Sequence, residues 1–129
     1  MSHLPNLGEI CWYELATPNV QAAKDFYGQM FGWKFSDHEI GEMTYTMIKV
    51  NDKDFGGIWA IPKDKIEDIR PHWMAYILVD AIEQAYKKAQ KFGAILIHEA
   101  TPVGDMGRFA IIQDPTGAHI ALWQTLKQK

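Results

Sequence analysis

Glu14 is the residue with the most chemical promise in this chain. It is embedded in an apolar and aromatic run that extends from Glu9 to Ala16, Glu9-Ile10-Cys11-Trp12-Tyr13-Glu14-Leu15-Ala16. Such a run reads as a strand, and on a strand residues 12, 14 and 16 share one face. A carboxylate embedded there is costly unless it is paired or hydrogen-bonded. Glu14 is therefore the candidate general base, or an acceptor for a ligand. The alternative is a structural glutamate held by a neighbouring strand or by Arg108.

Two histidines extend the candidate list. His119 shares strand parity with Ala121, and His72 shares it with Met74 and Tyr76. Glu14, His72 and His119 together have the donor types of a two-histidine, one-carboxylate metal site. Arg108, in Gly107-Arg108-Phe109, could pair with a ligand carboxylate or phosphate. The plainer expectation for it is an ion pair with Asp105 or Asp114. Trp12, Trp59, Trp73 and Trp123 could wall a pocket for a flat or apolar ligand, or simply pack the core. His38 and His98 sit near strand ends and read as surface residues. Gly56-Gly57 is no phosphate loop, because no P-loop lysine or opening helix follows; the pair suggests a bulge or a close backbone approach.

The elements that must position these residues follow from periodicity. Val20, Ala23, Tyr27, Met30 and Phe31 recur at helical spacing after Thr17-Pro18-Asn19, with Asn19 or Thr17 as cap and Gly32 as stop. Strands are expected at Trp33–Phe35, Met43–Val50 and Phe55–Ile61, with a polar turn at Asn51–Asp54. The charged stretch Pro62–Arg70 reads as a linker. The pattern then restarts: a strand Trp73–Val79, Asp80 as a cap, and a helical stripe Ile82, Ala85, Tyr86, Ala89, Phe92 stopped by Gly93. Strands Ala94–His98, Arg108–Gln113 and Ala118–Gln124 complete it, with a turn at Asp114-Pro115-Thr116-Gly117. At an offset of 61 residues Trp12 falls on Trp73, Asn19 on Asp80, and Phe31-Gly32 on Phe92-Gly93. The chain is thus read as one α+β domain over residues 1–129, built from two βαβββ modules (about 7–61 and 71–124) joined by the linker 62–70. Two such modules facing each other would form a curved mixed sheet around a pocket.

Composition narrows the function classes. The chain has 129 residues, 47% hydrophobic and 22% charged, which suits a folded globular domain. Thirteen basic and 16 acidic side chains leave a formal net charge of −3, which gives no electrostatic reason to expect nucleic acid or an anionic membrane. Cys11 is the single cysteine, so no disulfide forms within the chain. With no apolar stretch of membrane-spanning length and no signal-like N-terminus, a cytoplasmic location is expected.

The residues Pro18-Asn19-Val20, Ala22-Ala23-Lys24-Asp25-Phe26-Tyr27 and Phe31-Gly32-Trp33, followed by His72-Trp73, Val79-Asp80, Gly107-Arg108-Phe109-Ala110 and Asp114-Pro115-Thr116-Gly117, resemble the vicinal-oxygen-chelate superfamily. That group contains glyoxalase I, extradiol dioxygenases and bleomycin-resistance proteins. The first strand, Cys11-Trp12-x-Glu14-Leu15, is similar to that of the small stand-alone glyoxalase-like members. The resemblance runs from about Leu7 to Gln124 and implies the glyoxalase/bleomycin-resistance fold. It also implies a divalent metal held by His, Glu or Gln. Here the family's metal positions fall on Trp12, on Trp73 or Met74, on Ala121 and near Ile58, none of which can hold a metal. The expectation is therefore a protein that binds a small organic molecule with no cofactor, through Trp12, Tyr45, Trp59, His72, Met74, Arg108 and His119. The alternative is a lactoylglutathione-lyase-like or dioxygenase-like enzyme using Glu14 as base or a displaced metal at Glu14, His72 and His119. The expected partner is a small molecule, with a homodimer as an alternative way of pairing the modules.

Overall fold

The computed structural model describes residues 6–126. The chain is α+β and divides into two compact units. One is Trp12–Met74; the other takes Ala75 onward together with the segment that precedes Trp12. The N-terminal segment is tied into this second unit by backbone bonds from Gly8 N–H to the Leu78 carbonyl and from Leu78 N–H to that of Glu9.

In the first unit, β1 (Ile10–Thr17) leads to α1 (Val20–Phe31), then to β2 (Lys34–Ile40), β3 (Met43–Val50) and β4 (Lys53–Ala60). The strands order as β2-β3-β4-β1, with β1 parallel to β4 and the other pairs antiparallel. The Asn19 side chain caps α1 by accepting from Ala22 N–H at 3.0 Å. Gly32 ends the helix in the left-handed region at φ 73°, donating to the Gly28 carbonyl. Leu15, Ile48 and Ile58 form the buried core, packed by Val20, Ala23 and Tyr27 from α1 and by Trp33, Phe35, Val50 and Phe55. The helical stripe is thus only partly inward: Met30 and Phe31, expected to face the core, are 59% and 57% exposed. β2 runs well past the short strand expected at Trp33–Phe35, because it pairs with β3 along its whole length. The turn between β3 and β4 is a two-residue one at Asn51 and Asp52, both with positive φ.

In the second unit, β5 (His72–Leu78) leads to α2 (Ile82–Lys91), β6 (Ile95–Val103), β7 (Gly107–Gln113) and β8 (His119–Thr125). The order β5-β8-β7-β6 repeats the logic of the first unit, with β5 parallel to β8. Ile82, Ala110, Ile112 and Leu122 make its core, with Ala85, Tyr86 and Ala89 contributed by α2. Phe92, expected to complete that stripe, is 70% exposed. The expected Asp80 cap is also corrected. Ala81 occupies the cap position with no side-chain bond. The Gln124 side chain of β8 instead accepts the Ile82 N–H at 2.9 Å, so the first turn of α2 is satisfied from the sheet.

The Asp114–Gly117 turn is built around one carboxylate. Asp114 Oδ1 accepts from Thr116 N–H at 2.8 Å, Thr116 Oγ1 at 2.7 Å and Ala118 N–H at 3.1 Å. Gly117 adopts φ 99°, where a side chain would be strained. The Thr116 hydroxyl bond, then the backbone bonds, hold the Asp114 carboxyl below its ordinary pKa of 3.8. A depressed carboxyl stabilises the fold above its unfolded pKa, and that contribution vanishes as pH falls through the folded value. Thermal unfolding followed from about pH 2 to pH 6 is expected to show a steeper acid limb for the native chain than for Asp114→Asn. Identical limbs would remove Asp114 from the acid response.

Candidate functional site

The alternation of β1 separates two sets of side chains. Leu15 joins the α1-side core, and Tyr13 stacks on Phe55 at 5.0 Å. Trp12 and Glu14 point to the opposite face. There they meet one phenol: Trp12 Nε1–H donates to Tyr45 Oη at 2.9 Å, and Tyr45 Oη–H donates to Glu14 Oε1 at 2.8 Å.

Tyr45 stands on β3, two strands away from β1, with β4 between them. Strands lie about 4.8 Å apart, so the ring has to cross β4 to reach Glu14. It crosses at Gly57, the residue in register with Glu14 on one side and Met47 on the other. A Cβ at Gly57 would overlap the Tyr45 ring itself. Its neighbour Gly56 meets a different constraint, since a Cβ there would overlap the Tyr13 carbonyl. Next to the pair, the β3–β4 register shifts between Ile48 and Lys49. Both readings of the glycine pair, a bulge and a close approach, thus meet in this segment.

Tyr45 is 8% exposed. Burial, and then the Glu14 charge, push its pKa well above the ordinary phenol value. The hydroxyl therefore stays protonated and serves as a fixed donor to Glu14 while accepting from Trp12. A carboxylate oriented by a buried phenol beside an indole is suited to accept a hydrogen bond or a proton from a polar group on an otherwise flat, apolar molecule.

The other candidate residues are placed less centrally. Trp59 is half-buried and shares the Trp12 face, in register with Ala16. Ile58 does not; it is buried in the α1-side core. Trp73 also belongs to the α1 side, its Nε1–H donating to Tyr27 Oη at 3.1 Å. Alternation then gives Met74, which is buried, the opposite face. His72 is exposed, with Nδ1 2.6 Å from the Arg70 carbonyl. His119 is exposed and shares a 3.3 Å contact with Gln113 Oε1 across β7–β8. Among the described residues no three His, Cys, Asp or Glu side chains group in a way that would hold a metal ion. The chemistry of the face agrees. Trp12 offers a donor N–H with no lone pair to give, and Tyr45 is held protonated, so these residues do not fit the family's metal.

Arg108 pairs with Glu83, not with Asp105 or Asp114; both guanidinium nitrogens reach that carboxylate. The pair holds the Glu83 carboxyl below its usual range. Arg108 lines a cleft of about 270 Å³ with Ile82, Tyr86, Leu96 and Ala110, on the α2 side of β6 and β7. His98 is exposed and stacks on Phe109 at 5.0 Å. His38, assigned to the surface by sequence, is exposed but lies in register with Tyr45 and shares a 2.9 Å bond with Ser36 Oγ. Cys11 is half-buried, and burial raises its thiol pKa. No helix among the described residues is long and apolar enough to cross a membrane.

Removing the phenol oxygen leaves the Trp12 donor and the Glu14 acceptor without that partner. Tyr45→Phe is expected to lower unfolding free energy by about 1–3 kcal/mol in urea titration. Gly57→Ala should destabilise by a similar or larger amount, about 1–3 kcal/mol, through overlap with the ring. A neutral result for both variants would mean that the crossing is not formed.

Three comparisons place this geometry among known proteins. The profile of the Glyoxalase/Bleomycin resistance protein/Dioxygenase superfamily matches residues 9–122. A Mycobacterium tuberculosis protein named "Putative glyoxylase CFP32" is 36% identical over 115 residues, covering 88% of this chain and 44% of that protein. The anthracycline biosynthesis protein DnrV of Streptomyces peucetius is 27% identical over 132 residues, covering 91% of this chain and 47% of its own. The chain thus spans about half the length of these relatives. Among solved structures, methylmalonyl-CoA epimerase from Mycobacterium tuberculosis superposes with a TM-score of 0.65 at 15% identity, over 97% of this chain and 94% of the epimerase, a likeness of fold. With its family profile matched from the first strand to the last and its βαβββ units in place, this chain belongs to the glyoxalase/bleomycin resistance protein/dioxygenase superfamily.

Proposed function

We propose that this chain binds a small, flat organic molecule on the sheet face that carries Trp12, Glu14 and Tyr45, without the metal centre usual in its superfamily. The observation that supports this most is the Trp12–Tyr45–Glu14 chain of hydrogen bonds over Gly57. It supplies aromatic surface and one oriented carboxylate where the family's first-strand metal ligand would stand. Trp59 and Met74 add apolar area on the same face of their strands. The relative named for anthracycline biosynthesis makes a planar polycyclic molecule a reasonable first ligand class.

An anthracycline is therefore the probe of choice, titrated against the intrinsic tryptophan fluorescence. Saturable quenching is expected, with Trp12→Ala weakening it at least about tenfold, the scale of one lost aromatic contact. A broad thermal-shift screen in which neither the anthracycline nor any other organic compound stabilises the chain would overturn the reading.

A second reading treats Glu14 as the base of a glyoxalase- or dioxygenase-type enzyme. It is favoured by one observation, the 2.8 Å bond from Tyr45 that orients the carboxylate. Turnover of the hemithioacetal of methylglyoxal and glutathione is its simplest assay. If Glu14→Gln keeps full turnover with the fold intact, Glu14 has no place in the chemistry.

A further inference from the structure

A second concave surface lies wholly within the second unit and shares no residue with the Trp12–Tyr45–Glu14 group. It is the cleft of about 270 Å³ between the N-terminal half of α2 and strands β6 and β7. Ile82 and Tyr86 from α2, with Leu96 and Ala100 from β6, give it apolar walls. Glu83 of α2 and Arg108 of β7 pair at its rim, and Glu99 of β6 adds a second carboxylate.

β6 departs from regular strand geometry where it lines this cleft. On a regular strand residues 96, 98 and 100 share a face, and consecutive residues such as 99 and 100 oppose each other. Here Leu96 and Ala100 pack on the α2 side. His98 turns the other way and stacks at 5.0 Å on Phe109, whose chain neighbours Arg108 and Ala110 line the cleft. The register against β7 shifts twice, between Leu96 and His98 and again between His98 and Thr101. The second shift lets Glu99 and Ala100 both line the cleft. Thr101 Oγ1–H holds the turned segment by donating to the Glu99 carbonyl at 2.8 Å. Bulges of this kind re-aim side chains and are over-represented beside sites.

We infer that this cleft is a binding site for a small organic cation, an ammonium group carried on an apolar body. Charge is the first argument. Both terminal guanidinium nitrogens of Arg108 are taken by Glu83, so the cleft's cation is already engaged. Among the described residues no side chain pairs with the Glu99 carboxylate. Two carboxylates against one guanidinium leave one negative charge uncompensated, and an anion entering here would meet both acids. The half-buried Tyr86 ring adds a π face of the kind that attracts ammonium groups. Size is the second argument. Drug-sized ligands occupy pockets of roughly 300–1,000 Å³, so this cleft takes something smaller, with its apolar part against Ile82, Leu96 and Ala100.

Titration of the full chain with 2-phenylethylammonium, followed by amide NMR shifts up to about 20 mM, tests this. Saturable shifts are expected at Tyr86, Glu99, Ala100 and Arg108, with a dissociation constant on the order of 1 mM for so small a probe. 3-Phenylpropanoate, the same apolar body with the opposite charge, should bind at least about tenfold more weakly. Glu99→Gln, an exposed position whose loss of charge leaves the fold intact in the same spectra, should weaken the ammonium at least about threefold. The absence of saturable shifts at these residues overturns the proposal. So does a propanoate that binds as well as the ammonium, or a Glu99→Gln chain that binds with unchanged affinity. Shifts confined to Trp12, Glu14 and Tyr45 would put the probe on the other site and overturn it too, while leaving the proposed function standing.

Discussion

The first unit depends on one crossing: the Tyr45 ring passes over Gly57 to reach a strand that it does not neighbour. Backbone ladders link β3 to β4 and β4 to β1, but only side chains can couple β3 to β1 directly. The phenol does so by accepting from Trp12 and donating to Glu14. The glycine beneath it is a steric requirement, because the ring occupies the space a Cβ would need. Burial of the hydroxyl and the neighbouring carboxylate together keep it protonated, so its two bonds have a fixed polarity. The cost of placing an acid on a largely apolar face is offset by that donor.

The same crossing lies apart from the two cores that the family fold requires. The superfamily fold needs two βαβββ units, and their cores are ordinary: Leu15, Ile48 and Ile58 in one, Ile82, Ala110, Ile112 and Leu122 in the other. Neither core draws on Trp12, Glu14 or Tyr45. The opposite face contributes to stability by another route, the Trp12–Tyr45–Glu14 hydrogen bonds. Trp12 presents an indole N–H on that face, and Tyr45 satisfies that N–H from within the protein.

Much of this was legible in the chain itself. The strand–helix–strand order, the Asn19 cap, the Gly32 stop and the Asp114–Gly117 turn are local signals whose physics acts within a few residues. Gly56-Gly57 announced a bulge or close approach, though not which ring would come near, since a contact between residues 45 and 57 leaves no periodic trace. The errors share one cause. Asp80 looked like a cap, but Gln124, more than 40 positions away in sequence, reached the helix first. Arg108 had acids nearby in sequence, yet α2 brings Glu83 to it. Met30, Phe31 and Phe92 matched the helical period, but each lies at or past the last turn, where the helix runs beyond the core that it covers. Long-range geometry decided each of these.

If the phenol is the shared partner of Trp12 and Glu14, those two residues must be energetically coupled through it. A double-mutant cycle of Trp12→Phe and Glu14→Gln, measured by urea unfolding in the native and Tyr45→Phe backgrounds, tests this most directly. The account predicts a coupling above about 0.5 kcal/mol with Tyr45 present, falling to nothing once the hydroxyl is gone. Additive effects in the native background, or a coupling that survives removal of the hydroxyl, would contradict it.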